Sequence, residues 1–201
     1  MKRVKPSPII LASASPRRAQ LLRQIGLPFV VRVSNACEET NAPSDPIEHV
    51  LELSRRKAED VAAQVQAGLV LGVDTIVVLN RDILGKPSSP EEAKRMLRRL
   101  SGRTHDVFSG LTLIRAEDGQ MRSDFSRTEV KMRVLSDEEI EAYVATGEPL
   151  DKAGAYGIQG RAALFIEEIH GCYYNVVGLP LSKFVKMLKA MGGGWDVGRE
   201  T

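Results

Sequence analysis

The run Leu69 to Leu79, LVLGVDTIVVL, constrains this chain more than any other segment. It is rich in Val and Leu and reads as a strand. One aspartate, Asp74, interrupts it. Aspartate disfavours strands, and a buried carboxylate needs a cation or hydrogen bonds. A metal ligand, a general base and a structural ion pair each meet that demand. Gly72, just before it, would let a ligand or another backbone approach closely.

Strand and helix signals alternate around this run. Pro8 to Ala12 predicts a short buried strand. Ser15 and Pro16 then open a helix as N-cap and first helical residue, and Gly26 stops it. Phe29 to Val33 predicts a second strand. Asp45-Pro46-Ile47-Glu48 opens a long helix with Val50, Leu51, Ala58, Val61 and Val65 at helical spacing. A helix from Ser89 to Gly102 follows, then strands at 107–114 and within 125–134. Ser136 and Glu139 form a capping box for a fourth helix, closed by Gly147 and Pro149. Leu164–Ile169 and Tyr173–Val177 predict short strands, and Pro180 starts a last helix. The alternation predicts an α/β fold, and the neighbouring strands near 107–134 make the sheet mixed. The 201 residues suit one domain, residues 1–192, followed by a flexible tail at 193–201.

Composition excludes several functions. Hydrophobic residues are 43% and charged residues 27%, an ordinary globular balance rather than a disordered one. Net charge is only +2, and five Phe, four Tyr and one Trp form no stacking stripe, so stable nucleic-acid binding is not expected. Cys37 and Cys172 are far apart, and His49, His105 and His170 lack metal-ligand spacing. This argues against a disulfide framework or zinc site and for a cytoplasmic protein. No apolar run approaches the ~18 residues of a membrane span. Lys2, Arg3 and Lys5 before Pro8–Ala14 imitate a signal peptide, but the apolar stretch is short against the roughly 7–15 residues required.

Several polar residues exceed what a fold requires. Ser13-Ala14-Ser15-Pro16-Arg17-Arg18 lies at a strand-to-helix junction, where free N–H groups and the helix dipole favour anions. The same residues could be a plain cap with solvated arginines. Lys57 shares the helical stripe of Val50 and Val61, so its ammonium must reach a partner, a cleft or the surface. Glu38 and Glu39 add an acidic point after a strand, though such a pair is more commonly an exposed loop, and Gly85-Lys86-Pro87 ends a strand with Lys86 in the turn. His105 is more readily structural than catalytic. The segment Gly147–Gly160 places Gly154, Gly157 and Gly160 within seven residues, a pattern that permits positive φ and close ligand approach or forms a structural loop, beside Gln159, whose amide suits a base edge. It matches neither GxGxxG nor a P-loop.

Together, SASPRR at 13–18, SRRKAE at 54–59, GVDTIV at 72–77, GKP at 85–87, SGRTH at 101–105, GEPLDKAGAYGIQG at 147–160 and NVVGLPL at 175–181 resemble the Maf family of nucleoside triphosphate pyrophosphatases. The resemblance spans about Ile9 to Met191. It implies two lobes around a cleft, similar to inosine triphosphate pyrophosphatases, and a cytoplasmic homodimer. It implies hydrolysis of a nucleoside triphosphate to monophosphate and pyrophosphate with a divalent cation (Mg, Mn or Co). Asp74 falls on the proposed catalytic base, and Ser13, Arg17, Arg18, Lys57 and Lys86 on phosphate-binding positions. Glu39, or Glu38 in this ambiguously aligned loop, falls with Asp74 on the metal positions. Arg17, Thr75 and Gln159 fall on positions linked to base choice. AGAYGIQG resembles the subgroup that hydrolyses dTTP and UTP. A nucleotide-binding regulator of cell division with secondary catalysis is the alternative, as is a pyrophosphatase acting on another base.

Overall fold

The computed structural model describes residues 8–36 and 44–194. The elements run β1 (Ile9–Ala12), α1 (Pro16–Gln24), β2 (Phe29–Val31), α2 (Pro46–Ala62), β3 (Leu69–Leu79), β4 (Asp82–Leu84), α3 (Pro90–Leu100), β5 (Thr104–Arg115), β6 (Met121–Met132), α4 (Asp137–Val144), β7 (Ile166–His170), α5 (Tyr173–Val177) and α6 (Leu181–Ala190). Short 3-10 turns occupy Glu148–Asp151, Ala153–Ala155 and Arg161–Phe165. The strands form one sheet in the order β2-β1-β3-β5-β6-β7, with β4 paired to β3. β1 pairs in parallel with β2 and β3, and the other pairings are antiparallel. The mixed α/β expectation holds. Among the described residues no helix is long and apolar enough to cross a membrane.

β3 organises the core through its two faces. Leu69, Leu71 and Val73 join an apolar cluster with α1 and α6. Val77 and Leu79, on the same face, join a second cluster with α3 and α4. Thr75 lies between the two. On the opposite face Val70 packs with Ala58 and Val61, and Ile76 and Val78 pack with Val50. Asp74 and Gly72 share this second face, beneath α2.

Two glycines let α2 lie directly on the sheet. A Cβ on Gly72 would stand 2.1 Å from the Ser54 carbonyl oxygen, and one on Gly110 would stand 2.1 Å from that of Val50. Gly110 is the cross-strand partner of Asp74. Of the two uses expected for Gly72, the structure has the approach of another backbone.

Helix starts follow the sequence signals. The Asp45 carboxylate accepts from the Ile47 and Glu48 N–H groups, and Ser136 and Glu139 form the reciprocal capping box. Ser15 occupies the N-cap of α1, but its side chain makes no cap bond. Gly26, at φ +66°, carries the chain out of α1, and the Leu27 N–H bonds the Leu22 carbonyl.

Two local expectations fail. Tyr173–Val177 is a helix, despite its strand-like composition. Tertiary bonds override propensity there: Asn175 is fully buried and donates to the Val107 carbonyl and to Thr128 Oγ1, while Gly178 at φ +118° ends the turn. β4 ends at Leu84, just before the Gly85-Lys86-Pro87 strand end, but the hairpin that leads into it was not expected. It returns through Asn80 and Arg81, both at positive φ, and an arginine there carries no hairpin signal. Boundaries also move: the second strand ends at Val31, and β5 and β6 are each longer than their patterns imply.

Candidate active site

Asp74 and Lys57 come from the two most constrained elements and meet. Lys57 Nζ donates to Asp74 Oδ1 at 2.8 Å, with both side chains about nine-tenths buried. The costs flagged by each residue alone, a carboxylate in a strand and an ammonium on an apolar stripe, therefore offset one another. Asp74 Oδ2 is buried and has no hydrogen-bond partner among the described residues. Asp74 also lines a cleft of about 920 Å³, and Oδ2 is the oxygen of its carboxylate left without a partner.

The junction between β1 and α1 forms a second wall. Ser13 is buried, and its Oγ accepts from the Ser15 N–H at 3.2 Å and from Arg18 Nη1 at 2.9 Å. Arg18 also gives Nε to the Gly178 carbonyl at 3.0 Å and Nη2 to Thr75 Oγ1 at 3.1 Å. Thr75 Oγ1 lies 2.9 Å from Ser109 Oγ. This polar belt separates the two apolar clusters on that face of β3. It fixes Arg18 against three parts of the chain, so Arg18 orients Ser13 and Thr75 as well as carrying charge.

The block after α4 forms the third wall. Arg17 Nη1 donates to Asp151 Oδ2 at 3.2 Å, and Lys152 Nζ donates to Asp151 Oδ1 and to the Glu148 carbonyl, both at 2.6 Å. Partial burial pushes the Asp151 carboxyl up, but the Lys152 hydrogen bond and the nearby charges of Lys152 and Arg17 outweigh it and hold it low. Gly154 does take positive φ, at +68°, with Ala155 following at +59°. The space above Gly157 and Gly160 is filled from within the chain. A Cβ on Gly157 would stand 2.6 Å from Lys152 Cε, and one on Gly160 would stand 2.0 Å from Glu148 Oε1. The expected close approach of a ligand to these glycines is corrected: their own neighbours use that room.

Ser13, Arg17, Arg18, Lys57, Asp74, Thr75, Lys86 and Gln159 all line the one cleft. Five cations, Arg17, Arg18, Lys57, Lys86 and Lys152, face three carboxylates, Asp74, Glu148 and Asp151. That excess suits a polyanion. Glu38 and Glu39 lie outside the described residues. Among those described, no group of three His, Cys, Asp or Glu side chains could hold a metal ion, and Asp74 Oδ2 is the buried carboxylate oxygen left without a partner. His105 is structural: it is buried, with Nε2 2.8 Å from Tyr156 Oη. Burial pulls its pKa down to about 4, against a smaller opposing effect of Asp106.

Sequence reasoning missed Glu148, Asp151 and Lys152 as individuals. Their charge density within Gly147–Gly160 was the available signal.

The Maf-like protein family matches residues 8–191, nearly the whole described chain. The chain belongs to the Maf family. Its curated relatives include a dTTP/UTP pyrophosphatase of Symbiobacterium thermophilum, 51% identical over 92% of this chain and 94% of the relative. A protein of the same name from Moorella thermoacetica is 50% identical over 92% of this chain and 96% of its own. One from Bacillus cereus is 51% identical over 90% and 94%.

Proposed function

We propose that this Maf protein hydrolyses UTP and dTTP to the monophosphate and pyrophosphate. The carrying observation is Asp74, which lines a cleft that gathers five cations and whose buried Oδ2 has no partner among the described residues. The names of relatives about half identical across nine-tenths of the chain support the same substrates.

Hydrolysis needs a water oxygen to attack the α-phosphorus while the bond to the bridging oxygen breaks. Lys57 occupies Asp74 Oδ1, so the proton of that water goes to Oδ2. Arg17 and Lys86 neutralise the departing pyrophosphate, and Ser13 and Arg18 hold the remaining phosphate oxygens. In its alternative role Asp74 Oδ2, with Glu39 or Glu38, would hold a divalent cation such as Mg, Mn or Co, and that oxygen would then not take the proton. Such a cation supplies charge neutralisation and lowers the pKa of a bound water. Arg17, Thr75 and Gln159 would set base choice, and modified pyrimidine triphosphates fall within the same reading. The proposal extends to a cytoplasmic homodimer.

A panel of UTP, dTTP, CTP and GTP with Mg²⁺, Mn²⁺ or Co²⁺ tests this. Pyrophosphate with UMP or dTMP is the expected product. Orthophosphate with the diphosphate would refute the bond assignment, and the highest activity on GTP would refute the base assignment.

A further inference from the structure

The turn that carries Gln159 is held from below by one carboxylate. The Gly160 N–H donates to the Gly157 carbonyl at 3.0 Å, so Ile158 and Gln159 are the turn's central residues. Ile158 packs against the apolar cluster of α1 and α6, and Gln159 lines the cleft. Glu148 reaches both flanks. Its Oε1 accepts from Tyr143 Oη at 3.0 Å, and its Oε2 accepts from the Arg161 N–H at 3.2 Å. Tyr143 Oη in turn accepts from the Gly157 N–H at 3.3 Å. The Gly160 backbone lies in contact with the same carboxylate, where no Cβ fits.

Tyr143 is a steady donor in this arrangement. Its ring is buried edge-on against Phe165, with centroids 5.2 Å apart, and burial, then the hydrogen bond to Glu148, pushes its hydroxyl above the ordinary tyrosine range. The carboxylate thus uses one oxygen for each flank of a single short turn. A fold needs no such double clamp to place an exposed glutamine. A site that reads a ligand through that glutamine does, because a hydrogen bond to the ligand depends on the turn being pre-set.

We propose that Glu148 is a positioning residue of the nucleotide site: with Tyr143 it pins the turn Gly157–Arg161 so that Gln159 is presented to the substrate. The proposal rests on the reading that this cleft takes a pyrimidine nucleotide. Glu148→Ala, Glu148→Gln and Tyr143→Phe test it against the parent enzyme, by steady-state kinetics on UTP and CTP and by amide hydrogen exchange. Glu148→Ala should speed exchange at Gly157–Arg161 selectively and raise KM for UTP about tenfold or more, with kcat changed much less. Its UTP-over-CTP preference should shrink. Glu148→Gln, which keeps one acceptor oxygen, should recover part of each effect. Tyr143→Phe serves as the test if Glu148→Ala fails to fold, because it removes one clamp and keeps the ring. Unchanged exchange at this turn, or faster exchange with unchanged KM and preference, overturns the proposal. A parent protein that releases no pyrophosphate counts against the reaction assigned above, and the exchange pattern of Glu148→Ala then decides the pin alone.

Discussion

Lys57 on α2 and Asp74 on β3 form a 2.8 Å ion pair, with about nine-tenths of each side chain buried. Each residue makes the other tolerable inside the protein. The same contact selects which carboxylate oxygen remains for chemistry, because Oδ1 is taken and Oδ2 is not.

Removing either partner should therefore affect both stability and activity. Asp74→Asn should lower turnover by ~10²–10⁴-fold through loss of the base. Lys57→Met should cost more stability than Asp74→Asn, about 3–5 kcal/mol, since it leaves a buried carboxylate without its cation. Asparagine retains the shape and an acceptor for Lys57. The double variant should lose less stability than the sum of the singles. Urea unfolding midpoints for the four proteins measure this, and additive losses would show that the pair is not coupled.

The pair was half legible in the sequence. Asp74 broke a strand pattern and Lys57 broke a helical stripe, and local violations of this kind are visible in one dimension. That they compensate each other depends on how closely α2 approaches β3. Gly72 announced a close approach without naming its occupant. The contacts of Glu148 were illegible for a related reason: its partners, Tyr143 Oη and the Arg161 N–H, are set by the path of an irregular loop. The Tyr173–Val177 helix escaped because its buried Asn175 answers to β5 and β6 rather than to its own residues.

Gly72→Ala should displace α2. The new Cβ would overlap the Ser54 carbonyl oxygen at 2.1 Å and approach the Ala58 nitrogen at 2.8 Å. Both are helix backbone atoms, which cannot rotate away. A loss of at least about 1–3 kcal/mol is expected, together with a fall in kcat/KM as Lys57 shifts from Asp74. Gly85→Ala is the control, because its Cβ would meet nothing within 4 Å. It should stay within about 0.5 kcal/mol of the parent. Equal melting temperatures for both variants would contradict the proposed packing of α2.

His105 should make the protein acid-sensitive. Burial holds its folded pKa at about 4, below the ordinary value of 6.5. The unfolded chain therefore binds the proton more readily, and protonation favours unfolding. The stability linked to neutral His105 is fully present above about pH 6.5 and is lost as pH falls toward 4. Its size is roughly 3 kcal/mol. Unfolding free energy between pH 7.5 and 4.5 should fall more steeply in the parent than in His105→Gln. Parallel curves for the two proteins would remove His105 as the source.

Gln159 should govern base preference without supporting the fold. It is an exposed residue at a turn apex, so Gln159→Ala should change stability by less than about 0.5 kcal/mol. Uracil and thymine present two carbonyl acceptors around one N3–H donor. A glutamine amide can donate to a carbonyl and accept from N3–H in one bidentate contact. Cytosine reverses N3 and its neighbour, so the amide must flip to pair with it. Hydrogen-bonded sites reject a mispaired analogue more strongly than apolar pockets do. Gln159→Ala should lower kcat/KM for UTP and dTTP by roughly tenfold, and lower it much less for CTP. Competition between UTP and CTP in one reaction, read as the ratio of UMP to CMP formed, measures the preference directly. A ratio unchanged in Gln159→Ala would move base recognition to other cleft residues, with Arg17 and Thr75 the next to substitute.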